Sequence, residues 1–302
     1  MWRQTLMREY RKAFTLTELL VVVAILALLL SILAPSLASA RRQTRTVLCG
    51  TNLRQIGIGW HLYAEQEHDM AVAGRPGSLP GNNLYWVGNG WKYRPRWLAS
   101  LGAAVEIYAF HKADNPPRTD GAHQPIDNAL LICPEAAEWT SERNASYGYN
   151  YQFLGNARLR TGTADVFVHF PVRASTILGA GTVVVADSLG TAAHFPAAQR
   201  TDNHPDGSNE PTAWGNHAYL LDPPRLTPGS DRCDAGLRSG PDPRHDGRAV
   251  FAFADGHALA KPIENLGYRL NPDGTFVSQD PQLHNMQFSG TGRDDDPPSI
   301  DD

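Results

Sequence analysis

The chain has 302 residues, of which 42% are hydrophobic and 19% are charged, and its formal net charge is −4. This is an ordinary globular composition, sufficient for one large domain or two small ones. A balance so close to neutral argues against nucleic acid as the main partner, because phosphate binding requires a basic face.

The first element is a long apolar segment near the N-terminus. Leu19–Leu30 is apolar throughout, and the segment as a whole runs from Phe14 to Ala34. As a helix it would be about 31 Å long, close to the ~30 Å hydrocarbon thickness of a bilayer. A buried core helix is the alternative, but a helix that is apolar on all sides at the extreme N-terminus favours membrane insertion.

This segment could be a cleaved signal peptide or a retained anchor. Ala38-Ser39-Ala40 would serve as a small-x-small cleavage site after a basic region and an apolar one. Glu18 favours the anchor, because an ionised carboxylate deep in a bilayer costs on the order of 2.5–3.5 kcal/mol. A signal peptide gains nothing from such a residue, whereas an intramembrane acid indicates a function and a partner.

The residues around Glu18 resemble a known processing site. Arg11-Lys12-Ala13-Phe14-Thr15-Leu16-Thr17-Glu18-Leu19-Leu20-Val21-Val22-Val23 is similar to the site in type IV prepilins and type II secretion pseudopilins. In that family a short basic leader is cut before a Phe, and the new amine is methylated. The resemblance implies a leader over 1–13 and cleavage by a prepilin peptidase between Ala13 and Phe14. The family usually has Gly where this chain has Ala13.

The same resemblance implies how subunits assemble. Glu18 becomes the fifth mature residue, where its carboxylate can pair with the Phe14 ammonium of a neighbouring subunit. Either charge alone would be poorly solvated in apolar surroundings, so pairing favours one register. Pro35 becomes mature residue 22, where pilins also carry a helix-weakening proline. The implied partners are the peptidase, other copies or related pilin-like subunits, and the membrane.

Beyond the assembly helix, 14–35, the helix is predicted to continue over 36–68 with one apolar face. The residues of that face are spaced by four and three positions: Cys49, Leu53, Ile56, Trp60 and Tyr63. We expect this face to dock against the head. Residues 49–57 also resemble the segment that follows the membrane helix in a large pilin-like family of unknown function.

A head over 69–290 is predicted from short strand-like runs separated by turns rich in Gly and Pro. The runs are Val166–Phe170, Val183–Ala186, Ala249–Ala254 and His257–Ile263. The expected fold class is α+β, a long N-terminal hydrophobic helix packed on an antiparallel β-sheet head with long loops. The acidic tail, 291–302, is predicted to be disordered because it self-repels.

The clearest motif in the head is His245, nine further residues, and Asp255-Gly256. It resembles the C-terminal segment, H-x9-DG, of the same pilin-like family. Asp255-Gly256 predicts a two-residue type I′ hairpin turn, after a strand that is apolar on both faces and therefore central. In that register His245 lies far from His257. We therefore expect His245 and Asp255 to hydrogen-bond turn backbones and not to share a metal ion with His257.

One polar loop, Asp202–Glu210, is a candidate for calcium, the only cofactor that the sequence suggests. Hard cations take several oxygen ligands from one loop, and the spacing does not fit an EF-hand. A solvated polar loop is the alternative reading. The candidate ligands are Asp202, Asp206, Asn209 and Glu210.

The three cysteines, Cys49, Cys133 and Cys233, lack zinc-site spacing. Outside the cytoplasm a disulfide is permissible. The position of Cys49 on the head-facing side of the helix favours Cys49–Cys133, although Cys233 is an equal candidate by arithmetic.

No nucleophile elbow, phosphate loop, zincin motif or nucleotide fingerprint occurs in the sequence, so we expect a protein that is not an enzyme. The resemblance implies a pilin-like or minor pseudopilin subunit, stored in the membrane with its head outside the cytoplasm and assembled into a filament. One alternative is an anchored binding or enzymatic head that never polymerises. Another is a soluble protein secreted after cleavage at Ala40.

Overall fold

The computed structural model describes residues 14–74, 84–93, 96–112, 126–136, 146–160, 166–200, 219–231, 238–277 and 280–300. The chain divides into two compact units, residues 1–44 and 45–302. A long apolar helix is followed by an antiparallel β-sheet domain, which confirms the predicted α+β class.

The regular elements of the described residues are three α-helices and nine strands, with short 3-10 helices between them. In chain order they are α1 Leu16–Gln66, β1 Leu84–Trp86, β2 Trp91–Tyr93, α2 Trp97–Val105, β3 Tyr147–Tyr149, α3 Tyr151–Leu154, β4 Gly155–Arg160, β5 Val166–Pro171, β6 Val183–Gly190, β7 Gly240–Pro241, β8 Ala249–Phe253 and β9 Ala258–Lys261.

Helix α1 is continuous over 51 residues, with Pro35 inside it. In the unit that begins at Arg45, one face of the helix enters the core. Cys49, Leu53, Ile56 and Trp60 are almost fully buried, and Tyr63 packs against the same core. The four-and-three spacing therefore identified the docking face correctly, and apolar burial holds this half of the helix in the head.

The main sheet is five-stranded and antiparallel. Strands β3, β6, β8 and β9 lie in that order, and β7 pairs with the C-terminal end of β6. Every residue of β6 and β8 is buried, which confirms that the Ala249–Ala254 run forms a central strand. Two ribbons, β1–β2 and β4–β5, lie outside this sheet.

The hairpin turns differ from the sequence prediction. Phe253, not Ala254, pairs with His257, so the β8–β9 loop has three residues, of which Gly256 alone has a positive φ, +86°. That geometry is typical of a three-residue hairpin loop. The type I′ turn occurs instead at Asp246-Gly247, where both φ angles are positive and His245 pairs with Arg248.

The C-terminal tail is a further difference. Disorder was predicted for 291–302, but the structure describes 291–300 in contact with the head. The Arg225 guanidinium forms ion pairs with Asp294 at 2.7 Å and with Asp296 at 2.9 Å. The backbone N–H of Asn285 donates to Asp294 at 2.6 Å. A single arginine therefore compensates the repulsion between tail carboxylates that motivated the prediction of disorder.

We expect Arg225→Met to release this tail without unfolding the head. Without the guanidinium, Asp294 and Asp296 repel each other, and the amides of Asn285 and Ile300 should exchange hydrogen faster. Hydrogen–deuterium exchange with peptide-resolved mass spectrometry measures this. Arg269→Met is the matched control, because Arg269 pairs with Asp280 elsewhere on the surface. Unchanged exchange over 285–300 in Arg225→Met would show that the arginine does not hold the tail.

Candidate functional site

The start of α1 forms a reciprocal cap. The backbone N–H of Thr15 donates to Glu18 Oε2 at 2.9 Å, and the Thr15 hydroxyl donates to the same oxygen at 2.7 Å. In return the Glu18 backbone N–H donates to Thr15 Oγ1 at 3.2 Å. This is a capping box, in which a threonine and a glutamate three residues later satisfy free N–H groups at a helix start.

The sequence argument for Glu18 missed this local role, although the Thr-x-x-Glu spacing signals it. Capping and pairing with a neighbouring subunit are compatible, because a carboxylate has two oxygens and about four lone-pair sites. Phe14 lies just before the cap and is 74% exposed. Ala13, the residue before the predicted cut, lies outside the described residues.

The apolar half of α1 is exposed in the single chain. The best 18-residue window of this helix has a mean hydropathy of 2.8, and none of that window is buried. Within the described residues this is the one helix long and apolar enough to cross a membrane. So much exposed apolar surface requires a cover, which lipid or other helices can supply.

A second site lies in the head, where four elements bring two thiols, a carboxylate and an imidazole together. Cys49 comes from α1, Cys133 from the segment after a 3-10 helix, Asp187 from β6 and His245 from the turn before β8. One ligand atom from each lies within 4.8 Å of the others, and all four residues are buried. We call these four residues the buried cluster.

Contacts inside the buried cluster are short. His245 Nε2 lies 3.1 Å from Asp187 Oδ2 and 3.3 Å from Cys133 Sγ. The Cys49 thiol lies 3.3 Å from Asp187 Oδ1. Each side chain thus touches at least one other member, and sulfur, nitrogen and oxygen donor atoms converge on one point.

Neighbouring groups fix the orientation of the cluster. Thr46 Oγ1 lies 3.2 Å from His245 Nδ1, so the other ring nitrogen faces the cluster. The backbone N–H of Val250 donates to Asp187 Oδ2 at 2.9 Å. The Tyr147 hydroxyl donates to Cys49 Sγ at 3.6 Å.

Electrostatics favour the charged forms of Asp187 and His245 and shift the pKa values of the two thiols in opposite directions, that of Cys49 being raised mainly by burial. Burial alone would raise the pKa of Asp187, but the hydrogen bond with His245 and the charge of Arg244 lower it. Burial alone would lower the pKa of His245, but its hydrogen bonds with Asp187 and Cys133 raise that pKa to about 9. A hydrogen bond with Cys49 lowers the pKa of Cys133 to about 6, against burial and with help from His245. The site therefore stabilises a thiolate at Cys133.

The structure brings together only some of the residues singled out in the sequence. Cys49 and Cys133 lie together as two buried free thiols, and the disulfide between them stays a prediction. The side chain of His245 contacts the buried cluster and does not bond to a turn backbone. Asp255 does accept a hydrogen bond in its turn, from the backbone N–H of His257 at 3.1 Å.

The remaining sequence candidates are outside the cluster. Asp255 and His257 form an exposed pair of their own. Cys233 and the calcium candidates Asp202, Asp206, Asn209 and Glu210 lie outside the described residues. Asp187 was missed altogether; its signal was a lone carboxylate directly after the apolar run Val183–Ala186.

Comparison with known proteins locates the N-terminal site independently. The family model described as the prokaryotic N-terminal methylation motif matches residues 8–34. Comparisons with curated proteins and with solved structures returned no match. The motif indicates a prepilin-type N-terminus that prepilin peptidase would process, and the long apolar helix followed by an antiparallel sheet is consistent with a pilin-like fold.

Proposed function

We propose that this chain is a structural subunit of a type IV pilus-like or type II secretion filament, in the manner of a pilin-like protein or minor pseudopilin, and not an enzyme. The observation that carries the proposal is the methylation motif placed directly on a helix whose apolar surface is uncovered in the single chain. Membrane lipid covers that surface before assembly, and helices of neighbouring subunits cover it in the filament.

The proposed path begins in the cytoplasmic (inner) membrane, with the head outside the cytoplasm. Prepilin peptidase removes residues 1–13 between Ala13 and Phe14, and the Phe14 amine is methylated. Glu18 then accepts the Phe14 ammonium of the next subunit. This pairing gives each of two poorly solvated charges a counter-charge, which sets the register between subunits. Pro35 lies within the continuous helix α1. The head sets the surface of the filament.

A second candidate is an anchored head that never polymerises. The capping box favours it, because Glu18 has a structural role within one chain that needs no neighbour.

Processing is tested by the mature N-terminus. We expect Phe14, with a methylated amine, when the membrane-bound protein is sequenced by mass spectrometry. Ala13→Gly should be processed at least as completely as the natural chain, whereas Ala13→Leu should accumulate as the precursor because a bulky residue replaces a small one before the cut. Cells that lack prepilin peptidase provide the control and should retain the leader. A mature protein that begins at Arg41 would instead identify a secreted protein cut after Ala40.

A further inference from the structure

The buried cluster contains the donor set of a transition-metal site. Two cysteine sulfurs, one imidazole nitrogen and one carboxylate oxygen converge within 4.8 Å. Thiolate and imidazole ligands select zinc and similar borderline or soft cations, whereas calcium and magnesium prefer sets made only of oxygen. The chemistry therefore differs from that of the polar-loop calcium candidate.

The spacing of the donor atoms fits tetrahedral coordination. Zinc lies about 2.3 Å from sulfur and about 2.0–2.2 Å from nitrogen or oxygen, which places neighbouring ligand atoms roughly 3.3–3.8 Å apart in a tetrahedron. The measured separations are 3.1 Å for His245 Nε2 to Asp187 Oδ2 and 3.3 Å for Cys133 Sγ to His245 Nε2. Cys49 Sγ lies 3.5 Å from the same carboxylate oxygen, Asp187 Oδ2. The two separations to His245 Nε2 lie at or slightly below that range, so these ligands move apart by a few tenths of an ångström to admit the ion.

The hydrogen bonds around the cluster are of the kind that orient the ligands of a metal site. Metal-ligating histidines bond through the second ring nitrogen to a fixed partner, which sets the tautomer. Here Thr46 Oγ1 lies 3.2 Å from Nδ1 and leaves Nε2 directed at the cluster. The Val250 N–H bond to Asp187 holds the carboxylate in the same way.

We infer that Cys49, Cys133, Asp187 and His245 bind one zinc ion as a closed structural site. The ion joins the head-docked part of α1 to β6 and to the turn before β8. On binding, the protons held by Cys49, Cys133 and His245 Nε2 pass to solvent and the ion replaces them. Four protein ligands complete the tetrahedron, so the site holds no open position for catalysis.

A Cys49–Cys133 disulfide is the competing outcome. Outside the cytoplasm, where the proposed function places the head, two adjacent thiols can be oxidised to a disulfide. A disulfide would use both sulfurs and leave Asp187 and His245 as a buried pair. Zinc is favoured because it gives all four side chains one common partner, whereas a disulfide explains two of them.

The test is the metal content of the full-length chain, purified in detergent on a Cys233→Ser background. We expect one zinc per chain by elemental mass spectrometry. After chelation and denaturation without reductant, both Cys49 and Cys133 should be alkylated. Cys133→Ser and Asp187→Asn should lose the bound zinc. His257→Gln should retain it, because His257 and Asp255 form an exposed pair of the same residue types outside the cluster.

A variant that fails to fold does not decide the question, so the natural ligand set is also titrated. The chelated and anaerobically reduced chain should bind one cobalt ion with thiolate-to-cobalt charge-transfer absorption, and zinc should displace it. Absence of that absorption would overturn the inference, as would a Cys49–Cys133 disulfide in the metal-free purified chain. Metal content does not depend on cleavage at Phe14 or on assembly, so failure here is distinguishable from failure of the filament proposal.

Discussion

Glu18→Ala is expected to abolish or strongly reduce filament assembly while the processed protein still accumulates in the membrane. The substitution leaves the Phe14 ammonium of each neighbour without a counter-charge in apolar surroundings. Breaking such a pair from one side costs about 3–5 kcal/mol, which is more than a hundredfold in an association constant. Electron microscopy and quantification of sheared surface protein measure the loss.

Glu18→Gln separates assembly from helix capping. Glutamine can retain the hydrogen bonds to Thr15, because its side-chain oxygen accepts in the same position. It cannot supply the negative charge. We expect Gln to assemble as poorly as Ala. Full assembly of Glu18→Gln, with loss only in Glu18→Ala, would show that the cap is what matters. Surface filaments that are unchanged in both variants, with none of this chain in the sheared fraction, would favour an anchored head that does not polymerise.

Trp60→Ala should be among the most destabilising single changes in the head. Trp60 is 1% exposed, and its indole N–H donates to the Tyr149 hydroxyl at 3.2 Å. Truncation of a large buried aromatic side chain costs about 3–5 kcal/mol, so the melting temperature should fall by roughly 6–20 °C. Thermal unfolding of the detergent-solubilised chain, followed by near-ultraviolet circular dichroism, reports this change.

Two further variants on the same helix show whether burial is the cause. Trp60→Phe keeps most of the apolar contact but leaves the Tyr149 hydroxyl without its donor, so about 1–3 kcal/mol should be lost. Ile58→Ala alters a side chain that is 48% exposed, and an effect within about 0.5 kcal/mol is expected. If Ile58→Ala destabilised the head as much as Trp60→Ala, the assignment of the docking face would be wrong.

Local patterns were sufficient to predict the helix and the central strand. The apolar run after Phe14 and the spaced residues from Cys49 to Trp60 are periodic signals that depend on near neighbours in the chain. Ala249–Phe253 is apolar on both faces, which indicated a central strand before any partner was known. Glu18 was identified by its cost in lipid, and its capping role was readable from the spacing to Thr15.

The buried cluster could not be predicted because it depends on long-range packing. Cys133 and Cys233 were equivalent by arithmetic, and only the fold brings Cys133 to Cys49. The position of His245 depended on which Asp-Gly pair forms the tight turn. Because Asp246-Gly247 takes that conformation, the chain reverses directly after His245 and its ring enters the core. Asp187 had no local signal beyond its place after an apolar run.

The capping box also sets where α1 begins relative to the predicted cut. Thr15 is the N-cap residue, so Phe14 and Thr15 precede the helical backbone of α1. Proteases generally bind their substrates as extended chain. The proposed cut, between Ala13 and Phe14, lies just before the helix, which begins at Leu16. A substitution that moved the helix start toward the leader would protect that bond without altering a single residue that the peptidase recognises. The start of α1 is thus set by two side chains, those of Thr15 and Glu18.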